Sequence, residues 1–129
     1  MNLQEAKRDI IEAGRRVYQQ GYVASNDGNI SYRIDDERIL TTPTGMSKGF
    51  LEISDLCVVD YDGKKISGTR NPSSEIGMHI FLYRERPDVN AVVHAHPPTA
   101  TGFSVAGIPL TECVLPEVVI TLGAIPIAG

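Results

Sequence analysis

Residues 28–42 read GNISYRIDDERILTT and determine the fold class more than any other stretch of the sequence. Two runs rich in β-forming residues, 30–34 and 38–42, flank the short polar segment 35–37. Strands joined by so short a connection must run in opposite directions, because a parallel pair needs a much longer crossover. The stretch therefore predicts a β-hairpin, and the hairpin favours a sheet that is largely antiparallel.

The segments outside this hairpin alternate between helix and strand patterns. Apolar residues recur at three- and four-residue steps near the start of the chain, where Asn2 and Glu5 have the spacing of a helix N-terminal cap. The predicted elements are a helix over 3–20, strands over 56–61 and 64–67 joined by a turn at Asp62-Gly63, a helix from 72–75 to Arg86, a strand over 91–96 and a helix over 99–106. Together they predict an α/β fold in a single domain over residues 1–129.

Composition excludes several classes of protein. The chain has 129 residues, of which 42% are hydrophobic and 22% charged, as is usual for a globular protein rather than a disordered one. Its net charge of −4 argues against nucleic acid or an anionic membrane surface as a partner. Cys57 and Cys113 have no metal or redox spacing, and we find neither a membrane span nor a signal peptide. We therefore expect a cytoplasmic protein.

The last residues, 123–129, are apolar and carry no polar tail. Such a run would leave an uncovered hydrophobic edge if the chain ended there. We therefore expect the chain to be the N-terminal part of a longer protein.

His94-Ala95-His96 is the strongest local signal for chemistry. Side chains at positions i and i+2 of a strand share a face, so the two imidazoles can bind one divalent metal ion, for which zinc is well suited. The alternative is a pair of half-buried histidines without a ligand. A catalytic zinc site also needs a third protein ligand. His79 is the one other histidine, and its apolar neighbours favour a structural role in the core.

Glu75 is the best candidate for acid–base chemistry. A carboxylate at the start of a helix can simply stabilise the positive end of the helix dipole. Beside a metal ion that polarises a carbonyl group, the same carboxylate becomes a plausible proton carrier. The sequence leaves both interpretations open.

Three short loops of small residues could bind a phosphate group. Gly28-Asn29, Thr44-Gly45 and Ser73-Ser74 present hydroxyls, an amide and accessible backbone N–H groups. Such groups bind phosphate without Lys or Arg, above all near a helix N-terminus. Each loop taken alone could equally be an ordinary turn or helix cap.

The four motifs together are more specific than any one of them. Gly28-Asn29-Ile30-Ser31, Thr42-Pro43-Thr44-Gly45, Pro72-Ser73-Ser74-Glu75 and His94-Ala95-His96 follow one another in this order. This order resembles the class II aldolase/adducin family, and within it the branch of the L-fuculose-phosphate aldolases. The likeness runs from the first helix to the last residue.

The resemblance implies a three-layer α/β/α sandwich with a mainly antiparallel central sheet, assembled as a homotetramer with sites at subunit interfaces. It implies one Zn²⁺ per subunit, held by His94, His96 and a third histidine expected after Gly129, with Glu75 as a further contact. Glu75 maps to the catalytic acid–base. The substrate- and phosphate-binding positions map to Asn29, Thr44, Gly45, Ser73 and Ser74, with Gly28 shaping its loop. Asn26 stands where this branch carries a threonine.

The implied reaction is zinc-dependent cleavage of a ketose 1-phosphate, such as L-fuculose 1-phosphate, to dihydroxyacetone phosphate and an aldehyde through an enediolate. The alternatives are a pentulose-phosphate 4-epimerase, a thio-sugar-phosphate dehydratase and a non-enzymatic adducin-like binding domain. In the family resemblance, the epimerases carry an Asp at the position of Glu75. Glu75 therefore favours the aldolase over the epimerase. We expect the 129-residue chain alone, one zinc ligand short, to be inactive.

Overall fold

A computed structural model describes residues 2–111, 116–121 and 123–128. Cys113 lies outside the described residues. The chain forms two compact units, one that extends to His96 and one that begins at Pro97. The single domain over residues 1–129 stays a prediction.

The first unit consists of two α-helices, five strands and two short 3₁₀ helices. Their bounds are α1 Leu3–Gln19, β1 Asn29–Arg33, β2 Ile39–Thr41, β3 Cys57–Val59, β4 Lys65–Ser67, α2 Ile76–Glu85 and β5 Ala91–His94, with 3₁₀ turns at Lys48–Phe50 and Ile53–Asp55. Both predicted hairpins form, β1 with β2 and β3 with β4. The sequence did not predict the two 3₁₀ turns, because they are too short to produce a periodic pattern.

The five strands form one sheet in the order β4-β3-β2-β1-β5, in which every neighbouring pair is antiparallel. The antiparallel sheet predicted from residues 28–42 is thus confirmed. Strand β5 pairs with β1 although about sixty residues separate them, and this pairing sets Asn29 directly opposite His94. The sheet therefore brings the first and the last of the four sequence motifs together.

Each face of the sheet packs against a different helix. Ala6 and Ile10 of α1 form a core cluster with Leu40 of β2, whereas Ile80 of α2 belongs to a second cluster with Ile39. Adjacent residues of a strand point to opposite faces. Because Ile39 and Leu40 are adjacent, α1 and α2 cover opposite faces of the strand.

The sequence located the start of α1 better than the start of α2. Asn2 caps helix α1 with the predicted capping box, in which Asn2 Oδ1 accepts the Glu5 N–H at 2.9 Å and the Glu5 carboxylate accepts the Asn2 N–H. Helix α2 begins only at Ile76, because Pro72 forms a β-bridge with Pro43 and Ser74 and Glu75 form a turn before the helix. Ser73 thus lies in a loop before the helix. The bridge between Pro72 and Pro43 holds this loop beside the segment that follows strand β2.

Strand β5 is shorter than predicted. The sequence predicts a strand to His96, but the strand ends at His94, because the His96 N–H donates to the Tyr22 carbonyl at 2.7 Å instead of to β1. His96 therefore lies just past the end of the sheet, anchored to the segment after α1.

The second unit contains α3 Pro98–Val105 and α4 Pro116–Thr121. Helix α3 agrees with the helix predicted over 99–106. Leu110 and Ile125 exchange two backbone hydrogen bonds of 3.0 and 2.9 Å. Across the described parts of both units, no helix is long and apolar enough to cross a membrane.

Candidate active site

The two histidines of the predicted metal motif meet at their Nε2 atoms. His94 Nε2 and His96 Nε2 lie 3.1 Å apart, and the two rings stand edge to face with their centroids 4.8 Å apart. His94 is half-buried and His96 is exposed. The common point between the two Nε2 atoms is thus reachable from solvent, even though only His94 belongs to the strand.

A carboxylate approaches each histidine at its other ring nitrogen. Glu75 Oε2 lies 3.4 Å from His94 Nδ1, and Asp27 Oδ2 lies 3.3 Å from His96 Nδ1. A metal-binding histidine commonly donates its free N–H to such a carboxylate, which leaves the opposite nitrogen for the ion. The sequence indicates Glu75 but not Asp27, because a carboxylate in a short polar loop has no distinctive pattern.

These residues fit a zinc ion. Two imidazoles bound at about 2.0–2.1 Å in tetrahedral coordination place their nitrogens about 3.3 Å apart, close to the 3.1 Å between His94 and His96. Among the described residues, no group of three His, Cys, Asp or Glu side chains converges as a metal site. Glu75 meets His94 at Nδ1, so within the described chain it does not complete the pair as a third ligand.

Glu75 is held in place by two neighbours from distant parts of the chain. The Asn29 side-chain amide donates to Glu75 Oε2 and to Ser73 Oγ, both at 2.8 Å. Ser73 Oγ also accepts the backbone N–H of Glu75 at 3.2 Å. Asn29 and Ser73 are buried and Glu75 is exposed, so a rigid polar base supports a carboxylate that faces solvent.

Buried polar atoms without a hydrogen-bond partner concentrate at this place. Asp27 Oδ1, Asn29 Oδ1 and His94 Nδ1 are three of the five such side-chain atoms found in the described residues. Leaving a buried polar atom unpaired costs about 1–3 kcal/mol. A fold that retains several of them in one cluster is typical of a functional site.

Gly28 lets the loop before β1 approach strand β5. Its φ is +68°, a conformation that side chains rarely adopt, and a Cβ here would lie 2.7 Å from the His94 carbonyl oxygen and 2.6 Å from Val23 Cγ1. The loop can therefore press against β5 only with glycine at this position. The structure thus gives a physical reason for the predicted role of Gly28.

The other two predicted phosphate loops lie side by side. The Thr44 N–H donates to the Asn71 carbonyl at 3.0 Å, and the Ser73 N–H donates to the Thr42 carbonyl at 3.3 Å. These bonds fix the two loops to each other, while the side chains of Thr44 and Ser74 remain exposed. Gly45 is also exposed, and its φ of +72° turns the chain there. The loops present neutral hydrogen-bonding groups at one surface.

A buried lysine connects the loop before β1 with the loop that contains Thr44 and Gly45. Lys48 is 2% exposed, and its Nζ donates to the carbonyls of Asn26 at 3.1 Å and Met46 at 2.7 Å. Burial lowers the pKa of Lys48, while the charges of Asp27 and Glu75 act in the opposite direction. Sequence reasoning missed Lys48, since a lysine in a polar segment is expected at the surface.

His79 has the structural role that the sequence favoured. It is fully buried, and its Nδ1 lies 2.6 Å from Ser31 Oγ, which in turn lies 2.8 Å from the Tyr83 hydroxyl. Burial lowers the pKa of His79 to about 4, and the neighbouring charge of His94 adds to this effect against the opposing effect of Glu75. His79 is therefore neutral at pH 7 and supports the strand behind the site.

Comparison with known proteins gives the site its context. L-fuculose phosphate aldolase of Methanococcus vannielii is 44% identical over 98 residues, which cover 76% of this chain and 52% of that protein. The 3-oxo-tetronate 4-phosphate decarboxylase of Haemophilus influenzae is 39% identical over 98 residues, with 76% and 46% covered. Methylthioribulose-1-phosphate dehydratase of Hahella chejuensis is 39% identical over 110 residues, with 85% and 53% covered. The chain spans about half the length of the curated relatives it matches.

Solved structures agree with these relatives. The chain superposes on YgbL from Klebsiella pneumoniae with a TM-score of 0.88 at 32% identity, over 99% of this chain and 63% of that one. An L-fuculose 1-phosphate aldolase gives a TM-score of 0.79 at 30% identity, with 87% and 53% covered. The family model for the class II aldolase and adducin N-terminal domain matches residues 8–129. With its fold, its motifs and its relatives in agreement, the chain belongs to the class II aldolase and adducin N-terminal domain family.

Proposed function

We propose that this chain carries the zinc- and phosphate-binding part of a metal-dependent lyase that cleaves a ketose 1-phosphate, such as L-fuculose 1-phosphate, to dihydroxyacetone phosphate and an aldehyde. One observation carries the proposal. The two Nε2 atoms of His94 and His96 lie 3.1 Å apart, next to a carboxylate, Glu75, that Asn29 holds at 2.8 Å. A Lewis acid and a proton carrier side by side are what cleavage next to a carbonyl group requires.

His94 and His96 would hold one Zn²⁺ per subunit through Nε2, with a third ligand from outside the described residues. When bound, the ion supplies a Lewis acid that polarises the substrate carbonyl and stabilises the negative charge that develops beside it. The remaining steps belong to side chains of this chain.

Glu75 would carry the proton. When the carbon–carbon bond of the ketose breaks, the hydroxyl on the departing carbon loses its proton to water and becomes the aldehyde oxygen. The electron pair of the broken bond remains on the carbon next to the carbonyl group, and that carbon must gain a proton. The exposed carboxyl of Glu75 would deliver this proton, and the Asn29 amide keeps it in position. Such a proton transfer contributes about 10²–10⁴-fold to the rate.

The loops around Asn29, Thr44, Gly45, Ser73 and Ser74 would bind the phosphate group. The exposed hydroxyls of Thr44 and Ser74 are neutral donors at the surface. The Asn29 amide already donates to Ser73 and Glu75, so Asn29 would act by holding these two residues in place. Fixing the phosphate in this way would hold the reacting carbons near Glu75 and the metal ion.

We further propose the assembly that accompanies this chemistry in the family resemblance. The chain would contribute a three-layer α/β/α sandwich to a cytoplasmic homotetramer with sites at subunit interfaces. The helices α1 and α2 on opposite faces of the sheet support the layered arrangement.

Product analysis tests the proposed reaction. The purified full-length protein, of which this chain is predicted to be the N-terminal part, is incubated with zinc and L-fuculose 1-phosphate, and dihydroxyacetone phosphate is measured by coupled NADH oxidation. We expect its release, its loss with a chelator and its recovery with zinc. Absence of dihydroxyacetone phosphate with zinc-loaded protein would contradict the aldolase proposal.

Decarboxylation is the second candidate, and the relative from Haemophilus influenzae favours it. Loss of carbon dioxide from a 3-oxo acid phosphate also leaves an electron pair beside a carbonyl group, so Glu75 and the histidine pair would have the same tasks. Incubation with 3-oxo-tetronate 4-phosphate and measurement of carbon dioxide distinguishes the two reactions, and methylthioribulose 1-phosphate tests the dehydratase alternative.

A further inference from the structure

We propose that Asp27 is a positioning residue, whose carboxylate holds the His96 ring in the tautomer and orientation that present Nε2 to the metal ion. This inference rests on the proposed function, since it assigns Asp27 a task at the same metal site. None of the sequence motifs includes Asp27.

The geometry places Asp27 on the far side of the His96 ring from His94. Asp27 Oδ2 lies 3.3 Å from His96 Nδ1, and His96 Nε2 lies 3.1 Å from His94 Nε2. A neutral imidazole carries one N–H, so an acceptor at Nδ1 favours the proton there and leaves the Nε2 lone pair free. The carboxylate thus selects the tautomer that a metal ion at Nε2 needs.

His96 needs such support more than His94 does. His94 lies within strand β5, where pairing with Asn29 fixes its backbone. His96 lies past the strand end, exposed, with one backbone hydrogen bond to Tyr22. Its ring contacts His94 at Nε2, the atom that would bind the ion, and Asp27 at Nδ1. The Asp27 carboxylate is therefore the contact that can orient the ring while Nε2 binds the metal ion.

The backbone on both sides of Asp27 is held firmly. Buried Lys48 donates to the carbonyl of Asn26, the residue before Asp27. Gly28, the residue after it, packs against the His94 backbone in a conformation restricted to glycine. Asp27 is thus held between two fixed neighbours, as a residue that orients a metal ligand must be.

Zinc affinity of the Asp27→Asn variant tests the inference without relying on activity. Zinc alone is titrated into the full-length protein in competition with a chromophoric chelator at pH 7.5. We expect Asp27→Asn to bind zinc about 10–100-fold more weakly than wild type. Asp36→Asn, which removes an exposed carboxylate in the β1–β2 turn, serves as the matched control and should bind like wild type.

The titration distinguishes a failure of the role of Asp27 from a failure of the metal site. Equal zinc affinity of Asp27→Asn and wild type overturns the role of Asp27 and leaves the metal site standing. A wild-type protein without zinc affinity overturns the proposed metal site, and the inference falls with it.

A second measurement does not depend on the folding of Asp27→Asn. In zinc-loaded wild type, the Nδ1 proton of His96 should exchange slowly with water and be visible in a ¹H–¹⁵N spectrum, because a carboxylate accepts it. Asp27→Ala at saturating zinc should lose this signal. A His96 Nδ1 proton that exchanges too fast to observe in wild type overturns the inference.

Discussion

At the scale of single residues, the site depends on side chains whose conformations are fixed by hydrogen bonds to their neighbours. Asn29 is the clearest example, because its amide binds Ser73 and Glu75 at 2.8 Å while its backbone opposes His94. One buried side chain thereby connects the Ser73 loop, Glu75 and strand β5. Its neutral amide can do so without adding charge to the site.

Substitution of Glu75 separates proton transfer from substrate binding. Glu75→Gln keeps the shape and the contact with Asn29 but cannot carry a proton, so we expect kcat to fall about 10²–10⁴-fold with KM little changed. The matched control is Glu85→Gln at the exposed end of α2, which should keep wild-type kinetics. Steady-state kinetics of both variants of the full-length protein are the measurement. Near-normal kcat in Glu75→Gln would show that Glu75 is only a helix-start residue.

Two glycines with almost the same φ provide a matched pair of substitutions. Gly45→Ala meets no atom within 4 Å, so it should cost only the strain of a positive φ, about 1–2 kcal/mol. Gly28→Ala adds contacts of 2.6 and 2.7 Å with Val23 and the His94 carbonyl, so we expect a larger loss of stability. Urea unfolding measures both, and equal losses would show that the loop before β1 can move away from β5.

At the scale of elements, the sequence predicted the sheet better than the site. Both hairpins follow from local alternation and turn residues, so they were predictable, as was the capping box of α1. The pairing of β1 with β5 depends on packing between distant segments and could not be deduced from either strand. Known motifs located Asn29 and Glu75, whereas Asp27 and Lys48 became visible only through their contacts.

The Lys48 contacts should stabilise the loops as a unit. Lys48→Met removes the donor for the carbonyls of Asn26 and Met46, so we expect the free energy of unfolding to fall by about 1–3 kcal/mol. Lys64→Met, at an exposed position in the β3–β4 turn, should change it by less than about 0.5 kcal/mol. Urea denaturation of the two variants tests this, and equal stability would mean that water replaces the ammonium group.

At the scale of the whole molecule, His79 should make stability depend on pH. Its pKa is about 4 in the folded chain and near 6.5 when unfolded, so the unfolded state binds more protons between these values. The contribution of neutral His79 to the free energy of unfolding is therefore fully present above pH 6.5 and decreases as the pH falls toward 4. The decrease is at most about 1.4 kcal/mol per pH unit.

Urea unfolding of wild type and His79→Gln at pH 7.0 and 5.0 measures this effect. The variant keeps His94 and His96, so their contributions cancel in the comparison. We expect a smaller loss of stability between the two pH values in His79→Gln. Equal losses in both proteins would show that His79 is not the group responsible.

Zinc stoichiometry tests most directly whether His94 and His96 together hold one zinc ion. The three single variants His94→Ala, His96→Ala and His79→Gln of the full-length protein are purified beside wild type, loaded with zinc, and measured by elemental analysis after removal of free metal. We predict that wild type and His79→Gln retain about one equivalent, whereas His94→Ala and His96→Ala lose it. A full equivalent of zinc in either alanine variant would contradict the account.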